Sequence, residues 1–103
     1  MIFAGDVFHV SLKGVDRSFI ILTSPDQDDS KVLFIMEEDV TDVFAESASD
    51  IEKIAYGNGC PNCWYSGEHL TDDSLRSLQN GVLDADVGEY FKKHIHKYRA
   101  KAC

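Results

Sequence analysis

The sequence predicts an α+β fold, in which a small antiparallel β-barrel or meander is followed by two C-terminal helices that pack on it. Three observations support this prediction. Short β-branched and aromatic runs fill the first half of the 103 residues, the hydrophobic period then lengthens, and the last helical segment has one apolar stripe. We expect a single domain with a β-rich part at 1–56, a Gly/Cys loop at 57–70 and a helical part at 71–103.

The first half contains the candidate strands. Phe8, Val10 and Leu12 alternate with polar residues, which is the pattern of a half-buried strand. Two denser runs suit central strands, and the turn formers of SPDQDDSK separate them. Two weaker candidates complete an antiparallel meander. These four further segments are, in chain order, SFIILTS, KVLFIM, TDVFAE and IEKIAYG.

The second half contains two candidate helices. Thr71 is a predicted N-cap, and Leu70 and Leu75 have the spacing of a hydrophobic staple around it. Gly81 is expected to end this helix in the left-handed conformation that glycine adopts easily. A second helix follows, and its apolar residues recur on one face, so it must pack on the sheet. That stripe consists of Val87, Phe91, Ile95 and Tyr98.

The charge distribution constrains the partners. The chain has 18 acidic and ten basic residues, and five of the basic ones lie in the acid-free segment 92–101. The acidic body repels phosphate, so we expect no nucleic-acid partner for it and favour a protein partner with a basic surface. We interpret the basic tail as a helix C-terminus, where the macrodipole and solvent favour cations.

Other features of the sequence indicate a cytoplasmic protein with no membrane partner. No apolar run approaches the roughly 20 residues that a bilayer requires, and the N-terminus lacks the pattern of a secretory signal. Three cysteines, an odd number, argue against a disulfide scaffold. An exposed strand edge is often covered by a second copy, so a homodimer is compatible with this fold.

The segment GNGCPNCWYSGEH at 57–69 contains the candidate metal site. Cys60 and Cys63 have the C-x-x-C spacing of half a structural zinc site, since two such thiolates reach one tetrahedral ion. His69 is the nearest third ligand, so the metal hypothesis is one structural zinc at these three residues. The alternative is a packed loop without a cofactor, in which Trp64 and Tyr65 point inward and the cysteines are small buried side chains.

Two other patterns invite chemical interpretations. His94 and His96 cannot bind one ion together, because helical residues two apart point about 200° from each other. We expect His94 at the edge of the apolar stripe and His96 in solvent. The CPNC segment also resembles the dithiol of glutaredoxins, but here it lies past the middle of the chain with no strand-rich stretch after it.

The segments GDVFHVSL and GVDRSFIILTSP resemble the opening of PemK/MazF-like proteins, in which a Gly-Asp-Val/Ile strand and a loop precede an Arg-Pro pair and an apolar strand. That family has a small SH3-like β-barrel with added helices, and its toxin members cut single-stranded RNA without a metal. This chain has Arg17-Ser18 where the toxins carry Arg-Pro, and it is acidic where an RNA-cutting groove is basic.

Three functions remain open from the sequence. The first is a non-enzymatic protein-binding module on an SH3-like barrel, which the absence of a complete catalytic motif in the sequence favours. The second, implied by the resemblance, is an endoribonuclease in which Arg17 contacts phosphate bidentately and His9 or Asp16 transfers protons. The third is a zinc-clipped structural or interaction domain.

Overall fold

The computed structural model describes residues 1–56 and 63–102 and confirms the α+β class. Two helices at the C-terminal end pack on an antiparallel sheet, as expected. The elements of this part of the chain are β1 (Asp6–Leu12), β2 (Val15–Ile21), β3 (Lys31–Met36), β4 (Val43–Ser47), α1 (Ala48–Tyr56), β5 (Cys63–His69), α2 (Asp72–Asp84) and α3 (Glu89–Ala102).

The strands form one open sheet in the order β4-β3-β2-β1-β5. Lys13 and Gly14 join β1 to β2, and both have positive φ, 52° and 79°, as a type I′ hairpin requires. Of the two predicted forms, the meander is confirmed and the closed barrel is wrong. Closure would require the two edge strands, β4 and β5, to pair with each other, and they do not pair among the described residues.

The segment predicted as the fifth strand of the meander forms a helix instead. Residues 51–56 of IEKIAYG belong to α1, so the strand prediction is wrong for them, and Gly57 lies outside the described residues. Ile51 and Ala55, four residues apart, are the buried face of this helix, which is helical rather than strand spacing. The Ser47 hydroxyl accepts a hydrogen bond from the Asp50 N–H at 3.2 Å and so caps the helix start.

The predicted loop at 57–70 is also wrong over most of its described part, where residues 63–69 form β5. Trp64 and Tyr65 do not both point inward. Adjacent residues of a strand point to opposite faces of a sheet, and here Trp64 is 44% exposed and Tyr65 is 36% exposed. Residues 57–62, including Cys60, lie outside the described part of the chain, as does Cys103.

Each face of the sheet has its own core. On one face, α1 places Ile51 and Ala55 against Phe8 and Ile21. On the other face, α2 and α3 place Val82 and Ile95 against sheet residues that include Leu33, which is fully buried. The sheet is therefore the middle layer of three. Of the predicted stripe, Phe91 and Ile95 are confirmed on the buried side of α3, whereas Val87 packs on the same core from just before the helix begins and Tyr98 is half-buried outside it.

The N-cap of α2 is confirmed, whereas its predicted end is wrong. The Thr71 hydroxyl accepts a hydrogen bond from the Ser74 N–H at 3.2 Å. The helix continues past Gly81 to Asp84. A Cβ at Gly81 would lie 2.8 Å from Cγ1 of Val40, so this glycine permits close packing instead of ending the helix. None of the helices in residues 1–56 and 63–102 combines the length and apolar composition needed to cross a membrane.

Candidate functional site

One face of the sheet carries a row of aromatic rings that crosses all five strands, and we call it the aromatic ladder. The ring centroids of Tyr65 and Phe8 are 5.3 Å apart, and those of Phe8 and Phe19 are 5.2 Å apart. The row continues from Phe19 to Phe34 at 5.4 Å and from Phe34 to Phe44 at 5.3 Å. Pairs at such distances contribute about 0.5–1.5 kcal/mol beyond the burial of their area.

The aromatic ladder is buried in the middle and exposed at its ends. Phe8 and Phe19 are buried, and the Tyr56 ring of α1 meets Phe8 edge-on with centroids 5.9 Å apart. Phe34 is half-buried, and Phe44 at the far end is 42% exposed. α1 covers the region around Phe8, whereas the β4 end of the ladder, at Phe44, is left exposed.

β4 is an edge strand of the sheet. Within the described residues it pairs only with β3. An edge strand has a row of unpaired N–H and C=O groups along its outer side. Phe44 and Glu46 are two residues apart, so they point to the same face of the sheet, and both are exposed. This edge therefore offers main-chain hydrogen-bonding groups, an aromatic ring and a carboxylate together.

Further acidic residues lie beside the edge in the chain. Asp42 directly precedes β4, and Asp50 is in the first turn of α1, directly after it. In the part of the chain that the structure describes, the carboxylates of Asp42, Glu46 and Asp50 form no salt bridge. The β4 edge thus carries carboxylates that form no salt bridge with the described residues.

The three residues of the ribonuclease hypothesis lie together in the structure. His9, Asp16 and Arg17 line one open depression of about 480 Å³, with Ser18 and Glu37. The β1–β2 hairpin brings them together. In its register His9 lies opposite Ser18, which Arg17 directly precedes, and Asp16 lies opposite Ser11. However, Nε of Arg17 donates a hydrogen bond to Oε1 of Glu37 at 3.2 Å, so a carboxylate already engages part of the guanidinium.

The structure does not bring Cys63 and His69 together. They lie at opposite ends of β5, and their partners on β1 are Val10 and Asp6, four residues and about 13 Å apart. Ligands of one tetrahedral zinc lie within about 4 Å of each other. Among residues 1–56 and 63–102, no three His, Cys, Asp or Glu side chains are grouped to hold a metal ion. Zinc at Cys60 and Cys63 stays a prediction.

His69 instead belongs to a cluster around a buried carboxylate. Nδ1 of His69 lies 3.0 Å from Oδ1 of Asp6, and the Tyr65 hydroxyl lies 3.5 Å from the same oxygen. Burial, followed by the charge of Asp6, raises the pKa of both Tyr56 and Tyr65 above 10.0. Both phenols therefore remain protonated at neutral pH, and they can donate hydrogen bonds but not act as bases.

The basic C-terminal helix contacts the acidic loop between β2 and β3. Nζ of Lys101 donates hydrogen bonds to Asp26 at 2.9 Å and to Asp28 at 3.3 Å. The hydrogen bond to Asp26 is the main reason why the pKa of Lys101 is raised above 10.5. His94 is largely buried and His96 is exposed, as predicted. Part of the basic tail is thus neutralised within the chain.

Sequence reasoning missed the aromatic ladder, although a signal was present. Each of the first four strands contains one ladder phenylalanine, and all four lie in segments predicted as strands. Their alignment depends on the register of neighbouring strands, which the periodicity of single segments does not define.

Comparisons with family models, with curated proteins and with solved structures gave no match to this chain.

Proposed function

We propose that this chain is a non-enzymatic protein-binding module that binds an extended, basic segment of another protein along the outer edge of β4. The observation that supports this proposal is the aromatic ladder, which ends in exposed Phe44 on an edge strand. Strand addition is a common mode of peptide recognition, in which main-chain hydrogen bonds give affinity and alternate side chains give specificity.

The alternation of β4 defines the chemistry of the segment. Residues that pair opposite Phe44 and Glu46 lie on one face of the sheet, two residues apart. An apolar or aromatic side chain opposite Phe44 extends the ladder by one ring or methyl group. A lysine or arginine opposite Glu46 makes a favourable cross-strand pair, and the net charge of −8 attracts such a segment over a longer range.

A pair of synthetic peptides tests this proposal. The first alternates valine and lysine at the positions of one face, and the second has glutamate in place of each lysine. We expect the lysine peptide to bind at least about tenfold more tightly by fluorescence anisotropy, and the difference to shrink as salt increases. Phe44→Ser and Glu46→Lys should each weaken binding, whereas Val15→Ser, at an exposed valine outside the ladder, should not.

Four results would count against this module. Equal binding of the two peptides would remove the role of charge, and normal binding by Phe44→Ser would remove the role of the ladder. Crosslinking in cell extract that recovers RNA and no protein would exclude the proposal as a whole. A mass in solution that doubles with concentration, and that Phe44→Ser prevents, would assign the β4 edge to a second copy of the chain instead.

A second candidate function is the endoribonuclease, and the shared depression of His9, Asp16 and Arg17 is the observation that favours it. Cleavage of single-stranded RNA by the purified protein, lost in both Arg17→Ala and His9→Ala but retained in Lys13→Ala, would support it. The absence of cleavage, together with normal growth of cells that express the chain, would eliminate it.

A further inference from the structure

A cavity of about 300 Å³ opens between α2 and α3, and it shares no lining residue with the depression at His9. Gln79 is the most buried polar residue of its lining, at 4% exposed, and Leu75 and Tyr98 are half-buried parts of that lining. Its volume is at the lower end of the range for small-molecule sites. The cavity is therefore large enough for a compact ligand and too small for a folded partner.

Arg99 is held in this cavity by hydrogen bonds on two of its three nitrogens. Nε donates to Oε1 of Gln79 at 3.0 Å, and Nη2 donates to Oδ1 of Asn80 at 2.8 Å and to the carbonyl of Arg76 at 3.2 Å. Gln79 is itself fixed, because its Nε2 donates to the carbonyl of Leu22 at 2.7 Å. The Arg99 guanidinium is thus preorganised, and all of these acceptors are uncharged.

A second arginine lies beside the first. Arg76 lines the same cavity and is exposed. Burial, and then the positive charge of Arg76, lowers the pKa of Arg99 from its usual value. Across the described ranges 1–56 and 63–102, neither arginine lies within salt-bridge distance of a carboxylate. Two neighbouring guanidinium groups form a site to which a carboxylate can bind bidentately.

Two carboxylates line the same cavity. Asp72 and Asp73 are in the first turn of α2, and both are exposed. Neither forms a salt bridge within the part of the chain that the structure describes. A simple anion in the cavity would be repelled by these aspartates, and a simple cation would be repelled by the arginines. A molecule with both charges is attracted by both pairs.

We propose that this cavity binds a small zwitterion of the α-amino acid class. Its carboxylate lies against Arg99 and Arg76, and its ammonium group lies against Asp72 and Asp73. Leu75 and Tyr98 provide apolar surface for a short side chain. This site is independent of the proposed β4 interface, because none of its lining residues belongs to β4 or to the aromatic ladder.

Thermal melts of the whole chain with defined small molecules test this proposal. The probes are glycine, L-leucine, L-glutamate and L-lysine, each compared with acetate, methylammonium and inorganic phosphate at the same millimolar concentration. A ligand that binds only the folded state raises the melting temperature. We expect at least one amino acid to do so, with acetate, methylammonium and phosphate all without effect.

Charge-neutralising variants assign the effect to the cavity. Arg76→Gln and Asp73→Asn should each weaken the apparent affinity for the active amino acid by about tenfold or more in isothermal titration. Arg76 contributes only its backbone carbonyl to the Arg99 anchor, so this variant keeps the fold. Arg17→Gln and Asp16→Asn, at the separate depression, are the matched controls and should bind as the wild type does.

Three outcomes would overturn the inference. The first is that none of the four amino acids raises the melting temperature. The second is that acetate or phosphate stabilises as strongly as the amino acid, which would indicate a simple anion site. The third is that Arg76→Gln and Asp73→Asn bind the amino acid with unchanged affinity, which would place the binding elsewhere.

Discussion

Nδ1 of His69 lies 3.0 Å from Oδ1 of Asp6, and this contact joins the N-terminal turn of the chain to the end of β5. The other oxygen of the carboxylate accepts a hydrogen bond from the Phe3 N–H at 2.9 Å. Asp6 is 5% exposed, so hydrogen bonds from these partners, and not from water, stabilise its buried carboxylate. Leu70 strengthens the same junction by donating its N–H to the Gly5 carbonyl at 2.9 Å.

Removal of the Asp6 carboxylate should destabilise the fold. Asp6→Ala leaves the Phe3 N–H and the His69 ring without their acceptor, and we expect the free energy of unfolding to fall by about 1–3 kcal/mol. Urea titration followed by circular dichroism measures this. Asp16→Ala, at an aspartate on the surface, is the control and should stay within about 0.5 kcal/mol of wild type. An Asp6→Ala protein as stable as wild type would show that solvent replaces both contacts.

Substitution of Gly81 should destabilise the chain in spite of its helical position. Alanine gains up to about 1 kcal/mol in helix propensity, but its Cβ would lie 2.8 Å from Cγ1 of Val40. Overpacking of this kind costs about 1–3 kcal/mol, so we expect a net loss in Gly81→Ala. In Gly81→Ala/Val40→Ala the clash is absent, and the two changes should be non-additive. Strict additivity in thermal melts would contradict the contact.

The parts of the fold that could be predicted are those that short-range patterns define. Alternation and turn formers located the first four strands, and the hydroxyl of Thr71 marked the start of α2. α1 and β5 were missed for different reasons. A short helix such as α1 resembles a strand when only its apolar content is counted, whereas β5 owes its extended form to pairing with β1, far away in the chain.

The candidate sites also differ in how far the sequence could predict them. His9, Asp16 and Arg17, which the family resemblance suggested, lie close together because they belong to one hairpin, whose register the short turn determines. The aromatic ladder and the α2–α3 cavity combine residues from distant segments, and their assembly depends on strand order and helix packing. Cys63 and His69 are close in sequence but far apart in space, because an extended strand advances by about 3.3 Å per residue.

Metal removal distinguishes the remaining interpretations of Cys60 and Cys63. If they bind zinc, a chelator lowers the melting temperature, because the unfolded chain has no preformed site. Cys60→Ser and Cys63→Ser should then each abolish this sensitivity. His69→Ala should retain it, because His69 lies at the other end of β5 and contacts Asp6. If elemental analysis finds no zinc and the chelator leaves the melting temperature unchanged, the metal site is eliminated.

The tryptophan of β5 should matter less to stability than the phenylalanine at the centre of the ladder. Trp64 is 44% exposed, whereas Phe8 is fully buried between Phe19 and Tyr65. We expect Phe8→Ala to cost about 3–5 kcal/mol and Trp64→Ala about 1 kcal/mol, from denaturant titration of both variants. The reverse order would mean that Trp64 is covered in solution, for example by a second copy of the chain.

His94 should make the fold sensitive to mild acid. Its side chain is 9% exposed, with Nε2 3.3 Å from Oγ1 of Thr23. Burial lowers the pKa of this imidazole below 6.5, and Lys97 acts in the same direction, while the carboxylate of Asp29, 3.7 Å from Nδ1, partly offsets both.

The unfolded chain therefore binds a proton on His94 at higher pH than the folded chain does. The stability contributed by the neutral imidazole is fully present above about pH 6.5 and is lost progressively as the pH falls toward the lower pKa of the folded state. Asp26 also has a lowered pKa, chiefly through its hydrogen bond to Lys101, but its contribution is lost only below about pH 3.8, outside this window.

We expect the free energy of unfolding of the wild type to decrease from about pH 7 to about pH 5, and His94→Gln to show a smaller decrease. His96→Gln, which removes the exposed histidine of the same helix, should keep the wild-type slope. Parallel slopes for His94→Gln and wild type would show that His94 is not the group responsible.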